Sequence, residues 1–508
     1  MTWLHTWSGL VFVWLLYFVF VTGTLGYFDT EIDLWMTPEV PAQARTELLP
    51  NIAVAQARLQ EVAPDSERWF IYPRQDRGNP HLSIGWLIKD PPEGESAFRR
   101  ESLDPISGAP LTEARDTGGG QLLYRMHYLL HYFPARIGYY IVAVATLVML
   151  IGLISGVVAH KKIFKDFFTF RWAKGSRSWL DAHNLLSVTT LPFQIMITYS
   201  GLLYTLGLFW MPFVLLGGYG FDMERVRGLQ DIIGGDTVEA AEVAAPLLPL
   251  DTLAAGVDHE VAFVTVNFPG DRNSRVSFNP PNEGRTDVVG STFSGVTGEP
   301  LVSESRLPLH LPGLKSGLVM LQLHQGNFAD TFLRWLYFIA GIMGTAMVAT
   351  GAIYWVKSRT PRKKGIKVGR GHRFVQRMNV ATIVGLLTAI GAYFWANRLL
   401  PVSMENRAPW EAHWMFLVWG ACFLHAAVRP MEKLWTEQLY ALAGVFLLLP
   451  LVNALTSTAH LGNTLPVGDW VLAGFDLTAL ATGVIALIVG LKLRPQAEAV
   501  APIPVMAQ

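Results

Sequence analysis

Eight stretches of the chain are apolar for long enough to cross a lipid bilayer, and that removes most folds from consideration. A hydrocarbon core of about 30 Å needs about 20 mostly apolar residues in a helix. The stretches run over roughly 4–27, 138–159, 185–210, 332–356, 378–396, 412–428, 438–456 and 470–491. Of the 508 residues 51% are hydrophobic and only 16% charged, a balance rare in a soluble domain of this size. The formal net charge is zero, which gives no sign of a nucleic-acid partner. Cys422 is the one cysteine, so an intrachain disulfide, a thiolate-held cluster and a CxxCH haem attachment are all excluded.

Basic residues give the orientation, because short loops rich in Lys and Arg stay on the cytoplasmic side. The connector 161–180 carries Lys161, Lys162, Lys165, Arg171, Lys174 and Arg177 against one acid, Asp166. Segment 357–377 carries nine Lys or Arg and no acid. With both loops inside and an even number of spans, both termini are expected in the cytoplasm. The chain then divides into span 1 (1–27), an outer module (28–137), spans 2 and 3 (138–210), a second outer module (211–331), spans 4 and 5 (332–396) and a three-helix extension (397–508). The first run is too long for a signal-peptide core and lacks a small-residue cleavage site, so it is expected to stay. It starts almost at Met1 with no basic leader, which leaves room for residues further upstream.

The two outer segments echo each other. "RWFIYPR" and "HLSIGWLI" read as strands, followed by the strand–turn–strand "SLDPISGAPLTEA". The later "VAFVTVNFP" and "SRVSFNPP" are followed by "TFSGVTGEPLVSE". Gly108 matches Gly298, Pro110 matches Pro300 and Leu111 matches Leu301, with the residue types a tight turn requires. This doubled signature resembles PepSY modules. "LHTWSGLVFVWLLYFVFVTGTLGYFDTEID", "LDAHNLLSVTTLPFQIMITYSGLLY" and "LRWLYFIAGIMGTAMVATGAIYW" are similar to the PepSY-associated transmembrane family. The resemblance covers residues 1 to about 395. It implies a polytopic α-helical protein of the bacterial inner membrane with two periplasmic α+β modules. Some members are iron-regulated, haem-containing ferric-siderophore reductases. The last three spans lie outside the resemblance, which leaves their role open; if they are accessory, a chain cut near residue 400 should keep its activity.

The chain has 13 histidines, and several stand at matched depths. His5, His160 and His183 fall near the basic ends of spans 1, 2 and 3, while His127, His131 and His324 fall near the opposite ends of spans 2 and 4. One histidine at an interface is ordinarily a headgroup residue. Two clusters at two depths fit a b-type haem better, since it needs two neutral imidazoles from facing helices. The expected ligands are His5 with His183 and His131 with His324, holding two b haems, with His160 as rival inner ligand or partner of a propionate. His372, His413, His425 and His460 near later span ends, and His81, His259 and His310 in the outer segments, read as ordinary polar residues. Gly23, Gly26, Gly152, Gly156, Gly341, Gly344 and Gly351 permit close approach of helices or of a flat cofactor. Pro192 predicts a kink in span 3.

No GxGxxG follows a strand and no P-loop is present, so electrons are expected from quinol or a separate cytoplasmic donor. Asp476 is the main ionisable residue inside a span, which disfavours an ion-coupled permease. The leading expectation is a ferric-chelate reductase acting on a siderophore or similar complex. A non-enzymatic anchor whose PepSY modules bind or inhibit a peptidase, and an iron-chelate permease, are the alternatives. No single side chain stands out as catalytic.

Overall fold

The computed structural model describes residues 1–40, 43, 45–89, 91, 97–160, 170–171, 174–218, 239–281, 290–301, 312–361 and 368–494. Lys161, Lys162, Lys165, the run 362–367 and His310 therefore lie outside the described residues. The chain opens with α1 (Thr2–Gly26), α2 (Asp29–Met36) and α3 (Leu48–Val62). Strands β1 (Arg68–Tyr72), β2 (Leu82–Leu87) and β3 (Phe98–Leu103) lead to α4 (Gly119–Leu129) and α5 (Ala135–Ala159). Next come α6 (Ser176–Thr189), α7 (Leu191–Gly218) and α8 (Leu250–Ala254). Strands β4 (Phe263–Asn267), β5 (Arg275–Asn279), β6 (Ser291–Ser294) and β7 (Pro300–Leu301) precede α9 (Pro312–Gln325) and α10 (Thr331–Arg359). The remainder is α11 (Arg370–Ile383), α12 (Gly385–Leu399), α13 (Arg407–Val428), α14 (Met431–Thr456), α15 (Leu461–Thr464) and α16 (Trp470–Leu493).

Among the described residues, six helical stretches are long and apolar enough to cross a membrane, the architecture of a polytopic membrane protein: α1, α5, α10, α11 with α12, α14 and α16. α6 and α7 make a seventh if they are one span, but they meet at 70°. The bend falls at Thr190–Pro192, where the proline ring cannot donate a helical hydrogen bond. The remaining expected span, 412–428, lies in the 22-residue α13, which carries Arg407, Glu411, His413 and His425 and is not among those six. α1 packs between α5 and α10, while α6 runs along α10 and α7 along α5. α1 thereby sits diagonally across from the bent pair.

The two segments between the membrane helices, 28–137 and 211–331, echo each other in sequence and meet in the structure. Among the described residues, their strands join in one seven-stranded antiparallel sheet, ordered β3-β2-β1-β4-β5-β6-β7. The seam is β1 with β4, where Trp69 pairs with Val266 and Ile71 with Val264, all four buried. Alternation puts these side chains on one face, which α3 and α8 cover with Ile52, Leu59, Leu250 and Leu253. Gln56 ties the halves further: its amide donates to the Leu248 carbonyl (3.2 Å) and accepts from the Leu250 N–H (2.7 Å).

The repeated turn is built twice in the same way. The Gly108 N–H donates to the Asp104 carbonyl (2.9 Å), and the Gly298 N–H to the Ser294 carbonyl (3.0 Å). The Asp104 carboxylate accepts from the N–H groups of Ile106 and Ser107, as the Ser294 hydroxyl does from Val296 and Thr297. Both glycines have positive φ, +70° and +72°, which a side chain would strain.

The C-terminal helices are integral rather than appended. Trp35 of α2 is fully buried, stacks on Phe475 of α16 at 4.2 Å and donates to Asp476 (3.0 Å). The Arg398 guanidinium lies 3.7 Å from the Trp35 ring centre and donates to Asn453 (2.8 Å). Arg407 and Glu411, both fully buried, form an ion pair, and Glu411 accepts from Thr117 (2.6 Å) and the Gly118 N–H (3.1 Å). Charges this deep persist only when paired and hydrogen-bonded.

Candidate functional site

Four histidines meet in two pairs inside the α1, α5, α6/α7 and α10 group. At the end of the bundle that carries the basic loops, the rings of His5 on α1 and His183 on α6 have their centres 6.2 Å apart. At the sheet end, the His127 and His324 ring centres lie 6.0 Å apart. These two come not from the long helices but from α4 and α9, the short helices that lead from each half of the sheet back to the bundle. The basic-end pair is the one the matched depths predict. At the sheet end it is His127, not His131, that faces His324.

The backbone explains why. α4 stops at Leu129 and Leu130 takes a left-handed conformation (φ +56°), so His131 leaves the buried face one turn on from His127. His131 instead lies parallel to the Phe416 ring at 5.7 Å and beside Tyr132, whose hydroxyl bonds His413 Nδ1 at 2.6 Å. The stripe Gly119, Gly120, Leu123 and Met126 already marked the inward face of α4. Residue 127, four on from Leu123, belongs to that face.

Each paired imidazole is anchored in the same way. His5 Nδ1 bonds the Gly152 carbonyl, His183 Nδ1 the Met347 carbonyl and His127 Nδ1 the Val19 carbonyl, each at 2.8 Å. His324 Nδ1 bonds the Ser200 hydroxyl at 2.9 Å. A carbonyl only accepts, so Nδ1 carries the hydrogen in the first three. The Ser200 hydroxyl donates to the Met196 carbonyl at 2.6 Å, so it too is the acceptor. All four rings therefore hold the Nδ1–H tautomer and keep the Nε2 lone pair for a metal, the arrangement outer-shell partners impose on ligating histidines.

A glycine four residues on from each anchoring carbonyl makes room for the ring. A Cβ at Gly156 would lie 3.1 Å from His5, at Gly351 3.1 Å from His183, and at Gly23 2.5 Å from His127. The fourth is Gly201, where a Cβ would meet His324 at 3.0 Å. Gly201 carries the same role as the glycines singled out in sequence, but nothing local to it betrays that. Gly341 and Gly344 serve close helix packing instead, against Thr24 and against Phe20 with Gln194.

His160 caps α5 and holds Asn184 through Nε2 at 3.2 Å. His425 bonds Glu437, His372 packs on Trp355, His460 caps α15, and His259 bonds Ser291. Among the described residues, no three His, Cys, Asp or Glu side chains converge as a metal site of their own. A porphyrin does not need one, since the macrocycle supplies four donors and the protein only the two axial ones. Two imidazoles sharing an iron through bonds of about 2 Å place their ring centres about 6 Å apart, as both pairs are. The donor set fits haem.

A helical membrane bundle joined to a two-part antiparallel sheet, with two half-buried histidine pairs, defines the class of protein. The family model described as the PepSY-associated TM region matches residues 2–358, and the chain belongs to that family. The match takes in both histidine pairs and stops at the end of α10. A comparison with curated proteins gives no match.

Proposed function

We infer that this chain is a b-haem electron-transfer protein of the bacterial inner membrane that reduces a ferric siderophore or similar ferric chelate in the periplasm. The observation that supports it is the fourfold arrangement of imidazoles, each fixed through Nδ1 and each paired at about 6 Å. His5 and His183 would hold one b haem and His127 and His324 a second; a bis-imidazole haem supplies a one-electron couple at each level. The anchors of His5 and His127 also set the distance between levels: His5 and Val19 are fourteen residues apart on α1, about 21 Å at 1.5 Å per residue.

In this reading the basic end faces the cytoplasm with both termini. The bent α6–α7 pair and α13 complete eight spans, and the outer segments are paired PepSY modules facing the periplasm. Quinol or a separate cytoplasmic donor supplies the electrons. Each ferric ion takes up one, and the siderophore's hard oxygen ligands, matched to Fe(III), then release Fe(II). The chain's own work is to fix the axial ligands, keep water from the pairs and span the bilayer.

The test is side-resolved reduction in proteoliposomes. Substituting His127 or His324 by Ala should abolish reduction of an external ferric chelate while the basic-end haem stays reducible by the cytoplasmic-side donor. His183→Ala should stop electron entry and leave the other haem reducible by external dithionite. Unchanged chelate reduction in all three variants would contradict the proposal.

A further inference from the structure

Directly below the basic-end pair lie groups that the histidines do not use. On α5, His160 stands four residues beyond Gly156, the glycine that receives His5. On α10, Trp355 stands four residues beyond Gly351, the glycine that receives His183. Four residues make about one turn, so each lies on the face of its helix that carries the glycine, about 6 Å nearer the basic end. Helical side chains lean toward the N-terminus of their helix, which tips both back toward the pair. His160 Nδ1 and Trp355 Nε1 are both buried, and neither has a hydrogen-bond partner among the described residues. Two orphaned buried ring nitrogens at matching positions are a cost the fold would not carry without something to bond.

At the same end of the bundle, where α6 and its approach meet α10, opens a cavity of about 520 Å³ lined by Arg171, Lys174, Ser176, Arg177, Leu180 and Tyr354. Tyr354 is the neighbour of Trp355, and Leu180 lies one turn from His183 on α6. Arg171 is held by Asp181 through two hydrogen bonds, at 2.9 and 3.0 Å. Three cations against one carboxylate leave the cavity with an excess of two positive charges. The N-terminus of α6, at Ser176, adds its partial positive charge at the same place.

We propose that this floor receives the two propionates of the haem held by His5 and His183, which sets that haem with its carboxylate edge toward the basic end. His160 Nδ1 and Trp355 Nε1 donate to the carboxylates, and Lys174 and Arg177 neutralise them. The chemistry matches: two anions for two excess cations, with planar donors one turn beyond the glycines that receive the two histidines. It rests on the haem reading above. It adds an orientation, and with it a reason for the cofactor to enter the site one way round.

The experiment isolates the basic-end site with His127→Ala, strips the full-length protein of haem, and titrates it with haem and with haem dimethyl ester, whose propionates are uncharged. The diester should bind about tenfold or more weakly than the free acid, the loss expected of charge-assisted hydrogen bonds. Adding Lys174→Gln with Arg177→Gln should close that gap and move the midpoint potential to more negative values, since positive charge near the iron favours the reduced form. Trp355→Phe, which keeps the ring but not the donor, should weaken the free acid and leave the diester unchanged. Equal binding of acid and diester in otherwise wild-type surroundings would overturn the proposal while leaving the haem reading intact. No uptake of either compound would strike the haem reading itself. Loss of co-purifying phospholipid phosphorus in the double variant, with haem discrimination unchanged, would make the cavity a lipid-headgroup site and overturn the proposal too.

Discussion

The His127 and His324 rings lie with their centres 6.0 Å apart, although one belongs to the helix leaving the first half of the sheet and the other to the helix leaving the second. The sheet and this pair are therefore coupled: the seam between β1 and β4 brings together the halves from which α4 and α9 depart. The account predicts that His127→Ala and His324→Ala each lower haem content from two to one per chain. His131→Ala should keep both haems, because its ring packs on Phe416 instead. Haem and protein quantified on the same purified samples decide this.

The glycine cradles predict a graded response. A methyl at Gly23 would come within 2.5 Å of His127, closer than the 3.1 Å at Gly351 and His183. Gly23→Ala should thus disturb the sheet-end site more than Gly351→Ala disturbs the other, with overpacking costs of about 1–3 kcal/mol at the worse position. Low-spin absorbance per chain reads the difference, and equal occupancy of both sites in both variants would count against the cradles.

Much of this arrangement could be read from the sequence. Six of the eight apolar runs, the proline bend at residue 192 and the doubled Gly108 and Gly298 turns depend on local chemistry, and the structure has them in place. What local pattern could not give is the joining of the outer segments, since Trp69 and Val266 meet across almost two hundred residues. His131 was the natural choice opposite His324 only while α4 was taken to continue past Leu130. One left-handed residue moves the choice back a turn to His127. The role of the C-terminal helices was not legible in the sequence because their anchoring partners, Trp35 and Thr117, sit far away in the chain.

Those anchors predict that the C-terminal helices are required for folding. Glu411→Ala would leave the buried Arg407 without its carboxylate, and breaking a buried pair typically costs about 3–5 kcal/mol. Thermal unfolding in detergent should show a marked loss of stability for Glu411→Ala. A chain ending near residue 400, which keeps Arg398 but loses Asn453 and Asp476, should fail to accumulate as a folded protein. Full stability of that truncated chain would show the buried network to be dispensable.

Asp33 should give the fold a pH dependence. Burial pushes its carboxyl up to about 7, offset in part by the Gly120 N–H at 2.7 Å and raised further by nearby Asp29. A folded-state pKa above the unfolded value means the native protein holds the proton longer. Stability from this group is therefore greatest in acid and falls as pH rises from about 4 to 7. Asp33→Asn, which keeps an acceptor for Gly120, should gain on wild type across that window and hold a constant advantage above it. Melting temperatures of the two proteins from pH 4 to 8 test the sign.

The most direct measurement is the dithionite-reduced minus oxidised spectrum of the purified full-length protein from haem-replete cells, with haem counted per chain. Two low-spin b-type haems per chain are predicted, falling to one in His183→Ala and to one in His324→Ala. A well-folded preparation with no haem absorbance would contradict the account at its centre.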